Sequence, residues 1–247
     1  FGPGRGFQID FDLIDHELLI CTSDGTNRSL HLEPRSVADF YTSVMRMLDE
    51  LGIRVDIWTF PVEIPGAVIP FDQDDEHGSY DADQVTIFWR VLADSHRVFE
   101  QFRAEFVGKS SPVHFFWGAL DLAVTRFSGR GAPPHPGGAP NCGPFVMHEA
   151  YSHEVSSAGF WPGPDGEGSY YSYAYPEPDG FRNLAVGPQS ARYDESLGEF
   201  LLSYTDVRIA ADPDATLLEF LRTTYLAAAN SAGWDRASLE RQSQTKV

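Results

Sequence analysis

Apolar and polar residues alternate from Phe7 to Leu13: Phe7, Ile9, Phe11 and Leu13 share one parity, and Gln8, Asp10 and Asp12 the other. A period of two predicts a half-buried strand. Asp15-His16 reads as a turn and Leu18 to Cys21 as the return strand. A third strand, Ser29 to Leu32, follows the turn residues Ser23-Asp24-Gly25-Thr26-Asn27. The period then changes. Val37, Phe40, Val44, Met47, Leu48 and Leu51 recur at helical spacing between Ser36, an N-cap residue, and Gly52, suited to the position after a helix. This predicts a helix over 36–51, followed by a short strand from Ile53 to Trp58.

Pro61, Pro65 and Pro70 break any regular element over 61–80, which reads as a linker rich in proline and acidic residues. A long helix is expected over 83–107, with an apolar stripe of Val85, Phe88, Leu92, Phe99, Phe102 and Phe106. Trp89, His96 and Arg103 run beside that stripe at seven-residue spacing, and Gly108 ends the helix. Five later segments have the β-branched and aromatic density of strands: 113–117, 120–127, 145–157, 170–175 and 199–204. Residues 130–144 form a Gly/Pro loop. Asp212, with Pro213 at the first helical position, opens a last helix over 213–231.

The fold class that follows is α+β, a predominantly antiparallel sheet covered by amphipathic helices. Residues 1–60 read as a first sheet-plus-helix repeat, incomplete at its N-terminus, 61–80 as the linker, and 81–247 as a second helix-sheet-helix repeat, packed together as one compact unit. The repeat rests on the likeness of Val37–Ile53 to Leu217–Trp234, and any two capped amphipathic helices share that pattern.

Charge narrows the function. With 36 acidic and 18 basic residues the net charge is -18, and no cluster of Lys and Arg interrupts it. A nucleic-acid partner is therefore not expected. Two cysteines make no disulfide framework, and no run is apolar and long enough to span a membrane. A soluble, cytoplasmic protein with no membrane partner is the expectation. Phosphate-binding loops, dinucleotide fingerprints, nucleophile elbows, C-x-x-C pairs and zinc-finger spacings are all missing from the sequence.

The candidate chemistry lies in the strands. If Gly118-Ala119 is a hairpin turn, Phe116 pairs with Asp121 and His114 with Ala123, and His114 and Asp121 become diagonal neighbours on one face. If the strand runs straight through, they part. His153 and Glu154 are adjacent in a strand and point to opposite faces; with His148-Glu149 they superficially suggest a metal motif, but the spacing is not H-E-x-x-H, so a divalent metal is only a weak expectation. Arg126 and Arg130 are placed to clamp an anion, with pairing to the protein's own carboxylates as the competing reading. His96, Arg103, Trp117, Tyr151, Glu154 and Arg130 are secondary ligand-binding candidates. Tyr170, Tyr171, Tyr173 and Tyr175 line a pocket or simply pack the sheet.

Several segments together resemble one family: Phe7–Asp12 with Asp15-His16, Pro34–Tyr41, Ser111–Gly118, Asp121–Arg130, Tyr151–Glu154 through Gly159–Gly163, and Tyr173–Pro178. The chain is similar over nearly its whole length to the bacterial domain-of-unknown-function family 5996. The resemblance implies no activity. It implies an upstream helix and strand rich in His, Gln, Lys, Arg and Trp in other members.

Two functions remain. One is a small-molecule enzyme with His114, Asp121 and His153 at the centre of a pocket and Arg126 orienting an anionic group. The other is a non-catalytic small-ligand-binding or interaction protein. Convergence of these side chains favours the first, dispersal the second.

Overall fold

The computed structural model describes residues 4–163 and 166–242, which divide into two units, unit 1 up to Val91 and unit 2 from Leu92. In unit 1, β1 (Phe7–Asp12), β2 (Glu17–Thr22) and β3 (Asn27–His31) form an antiparallel meander. Ile9 pairs with Ile20 and Phe11 with Leu18, so the apolar parity of both strands lies on one face. Helix α1 (Val37–Glu50) covers that face. Ser36 caps it by accepting from the Asp39 amide, and Gly52, at φ 72°, follows its end. Leu18 and Ile20 pack there with Met47, Leu48, Leu51 and Ile53.

Residues 53–58 form no strand, contrary to expectation. Ile53 closes the core below α1, but Ile57 and Trp58 are exposed, so no buried face holds a strand there. Within 61–80 the regular structure is a single helical turn, Phe71–Gln73. The segment docks on α1: the Val37 and Ala38 amides donate to the His77 and Asp74 carbonyls.

The division between the units falls inside α2 (Ala82–Ala104). Unit 2 is built on β4 (His114–Phe116), β5 (Asp121–Gly131), β6 (His153–Trp161), β7 (Ser169–Tyr175), β8 (Arg192–Asp194) and β9 (Glu199–Ser203). The order is β4-β5-β6-β7-β9-β8, antiparallel throughout. Between β5 and β6 lies α3 (Pro144–Ala150), where a strand from 145 was expected. Pro144 at the first helical position starts it, and Phe145 and Val146 are exposed on it. Their apolar character mimics a strand without its burial. Ser203 ends β9 by capping α4 (Tyr204–Arg208). Asp212 caps α5 (Pro213–Ser231), and α6 (Arg236–Leu239) follows.

Pairing fixes the two faces of this sheet, because directly opposed residues share a face. Leu122, Phe160, Tyr170 and Leu202 form one row, and Val124, Ala158, Ser172 and Phe200 the next. This face is the core. The Tyr170 ring meets Phe99 edge-on and its hydroxyl lies 3.0 Å from Ser95 Oγ, so the second half of α2 packs there. Helix α5 packs against β6 and β7, burying Phe220, Leu221 and Thr224 completely. The opposite face carries Ala123, Gly159, Tyr171 and Leu201, then Thr125, Ser157 and Tyr173.

Candidate functional site

His114 pairs with Ala123 and Phe116 with Asp121, so the hairpin brings His114 and Asp121 to one face. Residues 117–120 all belong to the turn. Asp121 does not face solvent alone. Its Oδ2 accepts a 2.5 Å hydrogen bond from Tyr171 Oη, although Tyr171 belongs to β7 and β6 lies between. Tyr171 spans β6 by lying flat over Gly159. A Cβ there would stand 2.4 Å from the ring and hydroxyl of Tyr171 and 2.5 Å from the Leu122 carbonyl oxygen. Only glycine leaves that passage open.

The same face continues the network. Tyr171 stacks on Tyr173, whose hydroxyl lies 2.8 Å from that of Tyr151, and Thr125 Oγ1 lies 2.9 Å from Ser157 Oγ. Burial raises Asp121, against the lowering effects of the Tyr171 bond and of His114. Glu199 is pushed up to about 7 by burial and then by the charges of Asp194 and Asp121. The Tyr171 and Tyr173 phenols are raised by burial, reinforced by Asp121 and by Tyr151 respectively.

Two central candidates do not join this group. His153 is exposed at the start of β6, paired with Gly131, its Nδ1 3.1 Å from Ser152 Oγ. Asp121 lies beyond the Leu122–Phe160 pair, next to Trp161. That places it about 26 Å along the sheet from His153 at the usual rise per residue. Arg126 has the parity of Leu122 and Val124 and therefore points into the core face. The expected convergence of His114, Asp121, His153 and Arg126 is thus corrected: one pair meets and two members are elsewhere.

The secondary candidates are mostly engaged in structure. Arg130 donates twice to Glu154 Oε2, at 2.9 and 2.7 Å, and to the Ala232 carbonyl at the end of α5; Ser128 also holds Glu154. Arg103 donates to the Ser111 carbonyl, and His96 lies 3.9 Å from Glu100. Trp117 is exposed in the hairpin turn, edge-on to Phe115. Tyr151 belongs to the tyrosine network. Among the described residues no three His, Cys, Asp or Glu side chains gather as metal ligands.

Arg126 defines a different site. Its side chain is only 2% exposed. The guanidinium stacks 3.4 Å from the Phe102 ring centre and 4.3 Å from that of Tyr225, and Nη2 donates to the Phe102 carbonyl near the end of α2. No carboxylate pairs with it among the described residues, and its Nε is buried without a hydrogen-bond partner. Two more buried donors nearby lack partners: Trp234 Nε1, and Tyr225 Oη, which sits beside Glu240 without completing a bond to it. Burial lowers Arg126 to about 10 against the raising pull of Tyr225, Glu105 and Glu240, so it remains charged at neutral pH.

Arg126 and Tyr225 line a cavity of about 630 Å³, with Glu105, Arg222, Leu226, Glu240, Arg241 and Gln242 around them. One wall is the C-terminal segment, tied to the end of α2 where the Val107 amide donates to Leu239 and the Arg241 amide to Glu105. Both glutamates are already neutralised. Glu105 takes Arg222 Nε at 3.0 and 3.1 Å, and Glu240 takes Arg236 at 2.6 and 2.9 Å. In unit 1 a cavity of about 550 Å³ lies along 61–77, but its buried carboxylate, Asp74, is satisfied by the Glu76 and His77 amides. The spacing of Arg126 from Leu122 and Val124 was the available signal for its burial. Tyr225, Glu105 and Glu240 gave none, because their meeting depends on how α2, α5 and the C-terminal segment pack.

The chain belongs to a family of unknown function, DUF5996, which it matches over residues 2–241. No curated protein and no solved structure matches it. Among the described residues no helix is long and apolar enough to cross a membrane.

Proposed function

We propose that this DUF5996 chain is a small-ligand-binding protein whose ligand occupies the cavity against Arg126. The carrying observation is the buried, charged, unpaired guanidinium on that cavity's wall. Glu105 and Glu240 act on it from beyond ion-pair contact and are held by Arg222 and Arg236; a buried ion with no counter-ion in contact is unfavourable, and orphaned buried donors are rare enough in folded proteins to call for a partner. The cavity has the size of ordinary small-molecule sites. Dispersal of His153 and Arg126 away from His114 and Asp121 counts against an enzyme centred on those four.

A second reading has its own observation. Glu199, near 7, and the raised Asp121 share the other sheet face, and carboxyls tuned toward neutrality suit general acid–base chemistry. This face would serve an enzyme. The binding reading stands ahead of it because it has a cavity as well as perturbed groups.

The test is to fill the cavity. Leu226 is half-buried on its wall, so Leu226→Trp places an indole in the space. Fragments found by ligand-observed NMR on the full chain are expected to bind the variant at least ten times more weakly. Hits that bind both proteins equally would put the site elsewhere.

A further inference from the structure

We infer that the ligand of this cavity is an organic monocarboxylate, its carboxylate on Arg126 and its apolar body along Leu226. The inference rests on the ligand-binding reading above and adds the chemical class.

Charge selects a single negative group. Three arginines line the cavity, Arg126, Arg222 and Arg241, against two glutamates, Glu105 and Glu240. Arg222 is spent on Glu105, and Arg236 holds Glu240 from outside the lining. Arg241 Nε donates to the Ala104 carbonyl. Arg241 keeps its charge but lies exposed, where water solvates it, so the buried positive charge with no carboxylate in contact among the described residues is Arg126. A monoanion balances it. A dianion such as a phosphate monoester would bring a second charge for which the wall, among the described residues, holds no second buried, uncommitted cation.

Geometry selects a planar group. Aromatic rings pack against the guanidinium, so its hydrogen bonds must leave through the in-plane edges. One edge already serves the Phe102 carbonyl. A carboxylate matches the remaining donors in plane, and that complementarity is why arginine is favoured for carboxylate recognition. Tyr225, whose hydroxyl is also buried without a partner, is the ring of this stack that lines the cavity.

Size selects an organic anion. The volume of about 630 Å³ far exceeds a bare inorganic ion. Leu226, half-buried, offers apolar wall for the rest of the molecule. The protein's net charge of -18 opposes anions at long range, so discrimination must come from contact inside the cavity.

The experiment measures binding of benzoate, phenylacetate and 3-phenylpropionate, of their neutral amides, and of phenyl phosphate to the full chain by ligand-observed NMR. The acids are expected to bind at least tenfold more tightly than the amides and more tightly than phenyl phosphate. Arg126→Gln, which keeps a polar but shorter and uncharged side chain, is expected to bring acid and amide within twofold. Should that variant fail to fold, Leu226→Trp locates the site instead, and the acid preference is expected to vanish there too. Amides equal to acids in the native chain, with both lost in Leu226→Trp, overturn the carboxylate class and leave the ligand reading standing. Tighter phenyl phosphate, or an acid preference that survives Arg126→Gln, also overturns it. No binding of any probe overturns both.

Discussion

Gly159→Ala is expected to lower the unfolding free energy by about 3 kcal/mol, combining overpacking with the loss of a part-buried hydrogen bond. The new methyl meets backbone as well as side chain. It would stand 2.5 Å from the Leu122 carbonyl oxygen, which the β5–β6 ladder holds in place, and 2.4 Å from the Tyr171 ring. Tyr171 must then swing off β6. Its hydroxyl leaves Asp121, and a buried acid loses its donor. Gly131→Ala is the control, since its Cβ would meet open space; a change within about 0.5 kcal/mol is expected there. Urea unfolding at constant m-value reads both. A Gly159→Ala midpoint equal to that of the control would mean that Tyr171 does not cross the sheet at this point.

Glu199→Gln is expected to stabilise the protein above pH 7 by on the order of 2 kcal/mol, and the gain is expected to fade toward pH 4.5. The sign follows from the direction of the shift. Glu199 is raised from 4.5 to about 7 in the fold, by burial and by Asp194 and Asp121. The folded state therefore holds a proton that the unfolded chain has released. Its stabilising contribution is complete below about 4.5 and is lost as pH rises through 7. Glutamine keeps the neutral form at every pH and escapes the loss. The difference in unfolding free energy between the two proteins, followed from pH 5 to 8, checks this. A flat difference across that window would show that Glu199 ionises as it does in water.

Much of the local structure was legible. Ser36 and Asp212 announced their helices because a capping side chain lies within the same few residues it caps. The His114–Ala123 register followed from strand parity around a turn. The same parity, applied to Leu122, Val124 and Arg126, already separates Arg126 from Asp121, since residues five apart on one regular strand face opposite ways. His153 was harder. Its position along the sheet depends on where β6 begins, and the exposed apolar residues of α3 disguise that start as more strand. Glu199 was invisible as a site residue. It reaches the Asp121 face because β9, not β8, lies beside β7, and strand order that departs from chain order leaves no periodic trace in sequence. The cavity around Arg126 is less legible still, joining residues from 105 to 242 through helix packing alone.

The central claim is that Arg126 anchors a ligand, and diffraction from crystals of the full chain soaked in 4-iodobenzoate tests it most directly. The account predicts an anomalous iodine peak inside the cavity bounded by Tyr225 and Leu226, with the carboxylate within about 3 Å of the Arg126 guanidinium. Iodine bound only at other surfaces, with the cavity empty and Arg126 still unpaired, would contradict it.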